Sequence, residues 1–162
     1  MKLSAQQMLS LPDFFTDIPD PRRAQGRRHW LASVLAIACA ATLCGMRGYK
    51  AMADWAQSLS PTARQRFGCR RVNGRYLVPS ESIIRDVMIR VAPNDLEKAL
   101  NRYNQAFAQQ DSTLAIDGKT MRNALDHNDR QTHIMSVVGH HSKVCYTQKK
   151  SAACPPMATP LS

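Results

Sequence analysis

The run Trp30–Cys44, WLASVLAIACAATLC, constrains this chain more than any other stretch. It carries no charge and no proline, and its apolar residues fall on nearly every side of a helix rather than on one stripe. A helix of that kind has to be surrounded, by protein or by lipid. The run is shorter than the roughly 20 residues that span a bilayer, and it is rich in alanine, which is only weakly hydrophobic. It therefore predicts a buried helix at the centre of a helical domain, stopped at Gly45.

The segments around it supply the covering. In GYKAMADWAQSL, the residues Tyr49, Met52, Ala53, Ala56 and Leu59 recur at helical spacing, which predicts an amphipathic helix. In VPSESIIRDVMIRVAP, the residues Ile83, Ile84, Val87, Met88 and Val91 mark one face of another helix, broken at Pro93. Asn94 and Glu97 then have the spacing of a capping box, opening a helix that buries Leu96, Ala99, Leu100, Tyr103 and Phe107. Residues 29–110 thus read as four helices in one compact unit. The lead-in, Met1–Arg28, is polar and carries the proline-rich PDFFTDIPDPRR, so little regular structure is expected there.

The period changes at Asp111. Thr113–Asp117, Thr132–Gly139 and Val144–Gln148 read as strands, the last two joined by a short turn around His140–Lys143. A polar loop, NALDHNDRQ, separates the first strand from the second. His140 and His141 read as turn residues rather than a metal pair, because adjacent strand residues point to opposite faces. Helices followed by strands predict an α+β chain. From Ser151 the text SAACPPMATPLS has no charge and no periodicity, and reads as a disordered tail.

The net charge of +10 points to a polyanionic partner, nucleic acid before an anionic membrane. The basic residues concentrate in two places. One is Arg22, Arg23, Arg27 and Arg28; the other is PTARQRFGCRRVNGR, with Arg64, Arg66, Arg70, Arg71 and Arg75. Arg85 and Arg90 lie opposite the apolar face of the helix after Ser80. That helix could enter a DNA groove, braced by the Tyr49–Leu59 helix in the manner of a helix-turn-helix. Five cysteines without a CxxC pair argue against a disulfide framework or a zinc site, and fit a reducing cytoplasm.

One carboxylate stands out in LAIDGKTMRN. Asp117 ends the first predicted strand, with Lys119 and Arg122 beside it. An Asp at a sheet edge can hold Mg²⁺, and two such ions can drive phosphodiester chemistry, with Lys119 and Arg122 meeting DNA phosphates. The competing reading is an Asp-Gly turn.

Residues 14–150 resemble the H-repeat-associated transposases, a bacterial insertion-sequence family of the DDE type. The resemblance rests on four motifs in order. FFTDIPDPRRAQGRRHWLASVLAIACAATLCGMRGYKAMADWA resembles the family's amino-terminal associated domain. VPSESIIRDVMIRVAPNDLEKAL resembles its PS-x-S/T-x-x-R helix and the helix after it. LAIDGKTMRNA is similar to the strand that carries the first catalytic Asp, and HIMSVVGHHSKVCYTQKK to the next two strands.

The resemblance implies a helical DNA-binding domain over residues 1–110. It implies the first three strands of an incomplete RNase H-like domain over 111–150, and a tail over 151–162. It also implies insertion-sequence ends as the DNA partner, Mg²⁺ as cofactor and Asp117 as the metal-binding catalytic residue. The family's second and third carboxylates have no counterpart here. No Asp or Glu follows Asp129, Asp126 and Asp129 are not at the family's positions, and Glu81 and Glu97 belong to the helical part. Where the family continues with a valine and a KSNEI-like stretch, this chain reads SAACPPMATPLS, either out-of-frame text after Lys150 or a disordered tail. The expectation is a cytoplasmic, nucleoid-associated transposase truncated before its active site is complete. The alternatives are a non-enzymatic module that binds DNA or a full-length transposase, and a nuclease assembled from several chains.

Overall fold

A computed structural model of the chain describes residues 10–107, 114–125, 131–139 and 145–151. The chain forms two compact units, residues 2–103 and residues 104–162.

The first unit is helical and is built around the apolar run. Helix α1 is Leu11–Phe14, α2 is Leu31–Leu43, α3 is Tyr49–Ser58 and α4 is Pro61–Arg66. A two-stranded hairpin follows, β1 (Arg71–Val72) and β2 (Arg75–Tyr76), and then α5 (Glu81–Arg90) and α6 (Pro93–Phe107). Helix α2 is enclosed over its middle, where Val34, Leu35, Ala36, Ile37, Ala40 and Ala41 have no exposed surface, while Trp30 and Leu43 at the two ends of the run are each 55% exposed. Each fully buried Val, Leu or Ile side chain contributes about 1.5–3 kcal/mol. Burial also pushes the Cys39 thiol up to about 12, so that cysteine acts as a small hydrophobe. The helix ends where Gly45 N–H bonds Thr42 O and Met46 N–H bonds Ala41 O, the paired bonds of a Schellman motif.

Helices α1, α3 and α5 all pack on α2. The expected apolar faces do this: Ala53 and Ala56 of α3, and Ile84 and Val87 of α5 with Val91 after it, are buried. Three expectations need correction. Helix α6 starts at Pro93, and Asp95 N–H and Leu96 N–H bond Ala92 O, so Pro93 begins the helix instead of preceding a capping box. A proline fits there because its fixed φ is helical and the first N–H has no helical partner to lose. The count of four helices over 29–110 is too low, because the basic segment after Pro61 adds α4 and the hairpin. Finally, the lead-in read as polar, but it supplies Leu11, Phe15 and Ile18 to the core. Phe14 also meets the Tyr103 ring edge-on at 5.3 Å.

The second unit contains β3 (Leu114–Leu125), β4 (Gln131–Gly139) and β5 (Cys145–Ser151), an antiparallel sheet in the order β3-β4-β5. The three strands are those expected, and mixed helix and sheet make the chain α+β. The first strand runs further than expected. Gly118, Lys119 and Thr120 continue the ladder opposite Met135, Ile134 and His133, so Asp117 lies inside β3 and no Asp-Gly turn forms. Backbone pairing with β4 satisfies those peptide groups and extends the strand. Strand β5 likewise includes Ser151; the rest of the expected tail, the His140–Lys143 turn and residues 126–130 lie outside the described residues.

Candidate nucleic-acid interface

The arginines divide by what holds them. Arg22 is 4% exposed. Its Nε donates to Asp20 Oδ1 at 2.9 Å, and its Nη2 donates to Asp20 Oδ2 and to the His29 carbonyl, each at 2.8 Å. A guanidinium fork matches a carboxylate in two parallel bonds, so the DPR turn closes on itself. The Arg22 hydrogen bond holds the Asp20 carboxyl below its ordinary range. Arg27 braces the same turn through the Arg22 and Asp20 carbonyls, with half of its side chain exposed. Arg64 is also a brace: its Nη1 donates to Tyr76 O at 3.3 Å and its Nη2 to Gln57 O. Arg22, through its Nε and Nη2, and Arg64, through its two Nη groups, act as internal struts in this fold.

Arg23, Arg28, Arg66, Arg70, Arg71, Arg75 and Arg85 remain exposed. The fold brings their segments together. A groove of about 460 Å³ is lined by Arg22, Arg23, Gln25, Gly26, Asp86 and Arg90, joining the turn after Asp20 to helix α5. Arg70, at the foot of the hairpin, is close enough to His29 to disfavour its protonation; burial is the larger cause of that shift, and Arg22 adds to it.

The hairpin was not anticipated, although its signal is in the sequence. Val72-Asn73-Gly74-Arg75 is an Asn-Gly two-residue loop, with φ of 48° at Asn73 and 79° at Gly74, the signs of a type I′ turn. Its base is fixed in the core. Phe67 and Cys69 are buried, and Pro79 is fully buried. Cys69 N–H bonds Arg64 O, Gly68 N–H bonds Gln65 O, and Leu77 N–H bonds Arg70 O at 2.9 Å. Ser33 Oγ of the central helix donates to Gly68 O at 2.8 Å. The hairpin and α4 also fill the connection between α3 and α5, residues 59–80. A helix-turn-helix joins its two helices by a turn of about three or four residues, so the expected motif is not formed even though α3 and α5 pack together.

In the sheet, Asp117 and Lys119 share a face with Ala115 and with their cross-strand partners Ser136 and Ile134. Both are exposed, and Arg122 falls further along the same strand. Among the described residues Asp117 is the one carboxylate on this face and its nearest charged neighbour there is a cation, Lys119, whereas a two-Mg²⁺ centre needs several carboxylate oxygens. Among the described residues no group of three or more His, Cys, Asp or Glu could hold a metal. Nor is any helix among them long and apolar enough to cross a membrane.

Comparison with known proteins places this architecture. The chain is 33% identical over 123 residues to an uncharacterized protein in the dhlA 3′ region of Xanthobacter autotrophicus. That match covers 73% of this chain and 40% of the relative, so the chain spans about two-fifths of the relative's length. No solved structure gave a significant match. A family model described as DDE_Tnp_1-associated matches residues 12–104, almost the span of the helical unit. The chain belongs to this transposase-associated family, in agreement with its resemblance to the H-repeat-associated transposases.

Proposed function

We propose that this chain is the DNA-engaging front of an insertion-sequence DDE transposase, joined to the opening strands of an RNase H-like domain, and that it holds element ends without cutting them. The coincidence of the family match with the helical unit, whose surface carries ten exposed arginines besides Arg27 and the internal struts, is the observation that supports this most. Three consecutive antiparallel strands fit the start of an RNase H-like sheet. Asp117 fits the first catalytic position of the family, and the described residues around it supply no second or third carboxylate. The cytoplasm, around the nucleoid, is where such a protein would meet its DNA.

A second reading has its own support. Leu114 and Ile116 share a face of the sheet with Met135, and all three are exposed, at 55%, 70% and 47%. Exposed apolar strands are sites of association. On this reading the chain pairs with a full-length transposase or with itself, and competes for element ends.

Duplex binding measured against salt tests the first reading. If about 4–6 arginines meet phosphates, log K should fall with log salt at a slope of about −4 to −5. A flat dependence would remove the DNA-binding reading. Incubation with supercoiled plasmid and Mg²⁺ or Mn²⁺ should leave it intact; metal-dependent nicking abolished by Asp117→Asn would show that the chain cuts DNA after all.

A further inference from the structure

The hairpin has a charge distribution that a surface laid flat on DNA would not need. Directly opposite residues of an antiparallel pair share a face. Arg71 is opposite Tyr76, and Val72 is opposite Arg75. The Leu77 N–H to Arg70 O bond continues that register, placing Arg70 opposite Leu77. Arg71 therefore occupies one face of the ribbon, with its guanidinium 5.7 Å from the Tyr76 ring centre. Arg70 and Arg75 occupy the other face, with Val72 and Leu77. All three arginines are exposed, as are Asn73 and Gly74 at the tip. The base is held by buried Phe67, Cys69 and Pro79, so the ribbon is a fixed projection of the core.

A ribbon that is basic on one face can cover one DNA strand. A ribbon that is basic on both faces, with a polar tip, is matched by two walls of phosphate with base edges between them. The major groove is about 12 Å wide and admits a two-stranded ribbon, whereas the minor groove, about 6 Å wide, does not. We infer that the Arg70–Leu77 hairpin enters the major groove of duplex DNA tip first, with Arg71 facing one phosphate wall, Arg70 and Arg75 facing the other, and Asn73 at the floor. An Asn side chain there can donate to N7 and accept from N6 of adenine. This deepens the DNA-binding reading and rests on it. It assigns the groove contact to a strand pair rather than to helix α5.

The test uses the full chain and a random-sequence duplex, with anisotropy read across a salt series. In Arg70→Ala/Arg71→Ala/Arg75→Ala the slope should become shallower by about 2.7, since each phosphate contact contributes about 0.9. Circular dichroism should be unchanged, because all three side chains are exposed. Methyl green, which occupies the major groove, should displace the wild-type chain, and the minor-groove ligand distamycin should not. Asn73→Gly keeps the backbone conformation of the turn and should reduce the preference for A·T-containing over G·C-only duplexes. A wild-type chain with no salt-dependent affinity would sink the DNA-binding reading itself. A wild-type chain that binds, but keeps its slope in the triple variant or yields to distamycin rather than methyl green, would overturn the hairpin assignment alone.

Discussion

Arg22 Nη2 lies 2.8 Å from Asp20 Oδ2, and only 3% of the Arg22 side chain is exposed. The guanidinium also ties down the His29 carbonyl, one residue before the N-cap of the central helix. Removing one member of such a pair strands the other. Arg22→Ala should therefore cost roughly 3 kcal/mol, near the lower end for breaking a buried ion pair because Asp20 keeps some solvent access. Arg22→Lys should recover only part of this, since an ammonium cannot make both parallel bonds. Chemical denaturation of the two variants reads the difference. By contrast, Arg23→Ala with Arg28→Ala should leave stability within about 0.5 kcal/mol and flatten the salt dependence of DNA binding.

The root of the hairpin has no spare volume. Gly68 has φ of +71°, and a Cβ there would lie 2.9 Å from Ser33 Oγ and 3.3 Å from Trp30 Cε3. Ser33 cannot turn away without giving up its bond to Gly68 O. Gly68→Ala combines left-handed backbone strain with this clash, and should destabilise by about 2–3 kcal/mol. In a helical unit of this size the melting temperature should drop by at least about 8 °C. Gly45→Ala is a useful control. Its φ is +84°, but nothing lies within 4 Å of the added Cβ, so its cost should be about 1 kcal/mol.

Acid should weaken the helical unit through His29 before it reaches the carboxylates. Burial, with Arg22 and Arg70 nearby, lowers the His29 pKa below its ordinary 6.5. The unfolded chain thus takes up a proton that the folded chain resists. The stabilising effect of neutral His29 is fully present above about pH 6.5 and is lost as pH falls from there through the depressed folded value. Asp20, also depressed, adds a second loss below its ordinary 3.8. Melting temperatures from pH 8 to about pH 2.5 should show a decline beginning near pH 6.5 and a second one below pH 3.8. His29→Asn should remove that decline and keep the more acidic one.

Asp117 should be nearly silent in the isolated chain. Its carboxylate is exposed and shares its face with Lys119, Ser136 and Ile134. Asp117→Asn should change stability by less than about 0.5 kcal/mol. Millimolar Mg²⁺ should not raise the melting temperature of either form, because a lone exposed carboxylate leaves the ion mostly hydrated. A wild-type shift that the variant lacks would show that further ligands reach this site.

What was legible in the sequence was set by local pattern. A run apolar on every side can be satisfied only by enclosure, so Trp30–Cys44 determined the central helix before any neighbour was known. Period-3.6 faces in Tyr49–Leu59 and Ser82–Val91, and the three later strands, were readable for the same reason: each depends on spacing within one segment. The family was legible too, because motifs spread along the chain occur in a fixed order. The tertiary structure decided what depends on distant partners. Nothing in DPRR distinguishes Arg22, 4% exposed, from the exposed Arg23; only the positions of Asp20 and His29 separate them. Arg64 became a strut because Tyr76 O and Gln57 O meet it after folding. Asp117 moved from a strand end to a strand interior because β4 was long enough to pair past it. The Asn73-Gly74 pair carries a turn signal that the reading of this basic segment left unused, and its value as a projection comes from the burial of Phe67, Cys69 and Pro79 beneath it. Charge is written residue by residue. Whether it faces solvent is settled by which backbone and side-chain acceptors the fold delivers to it.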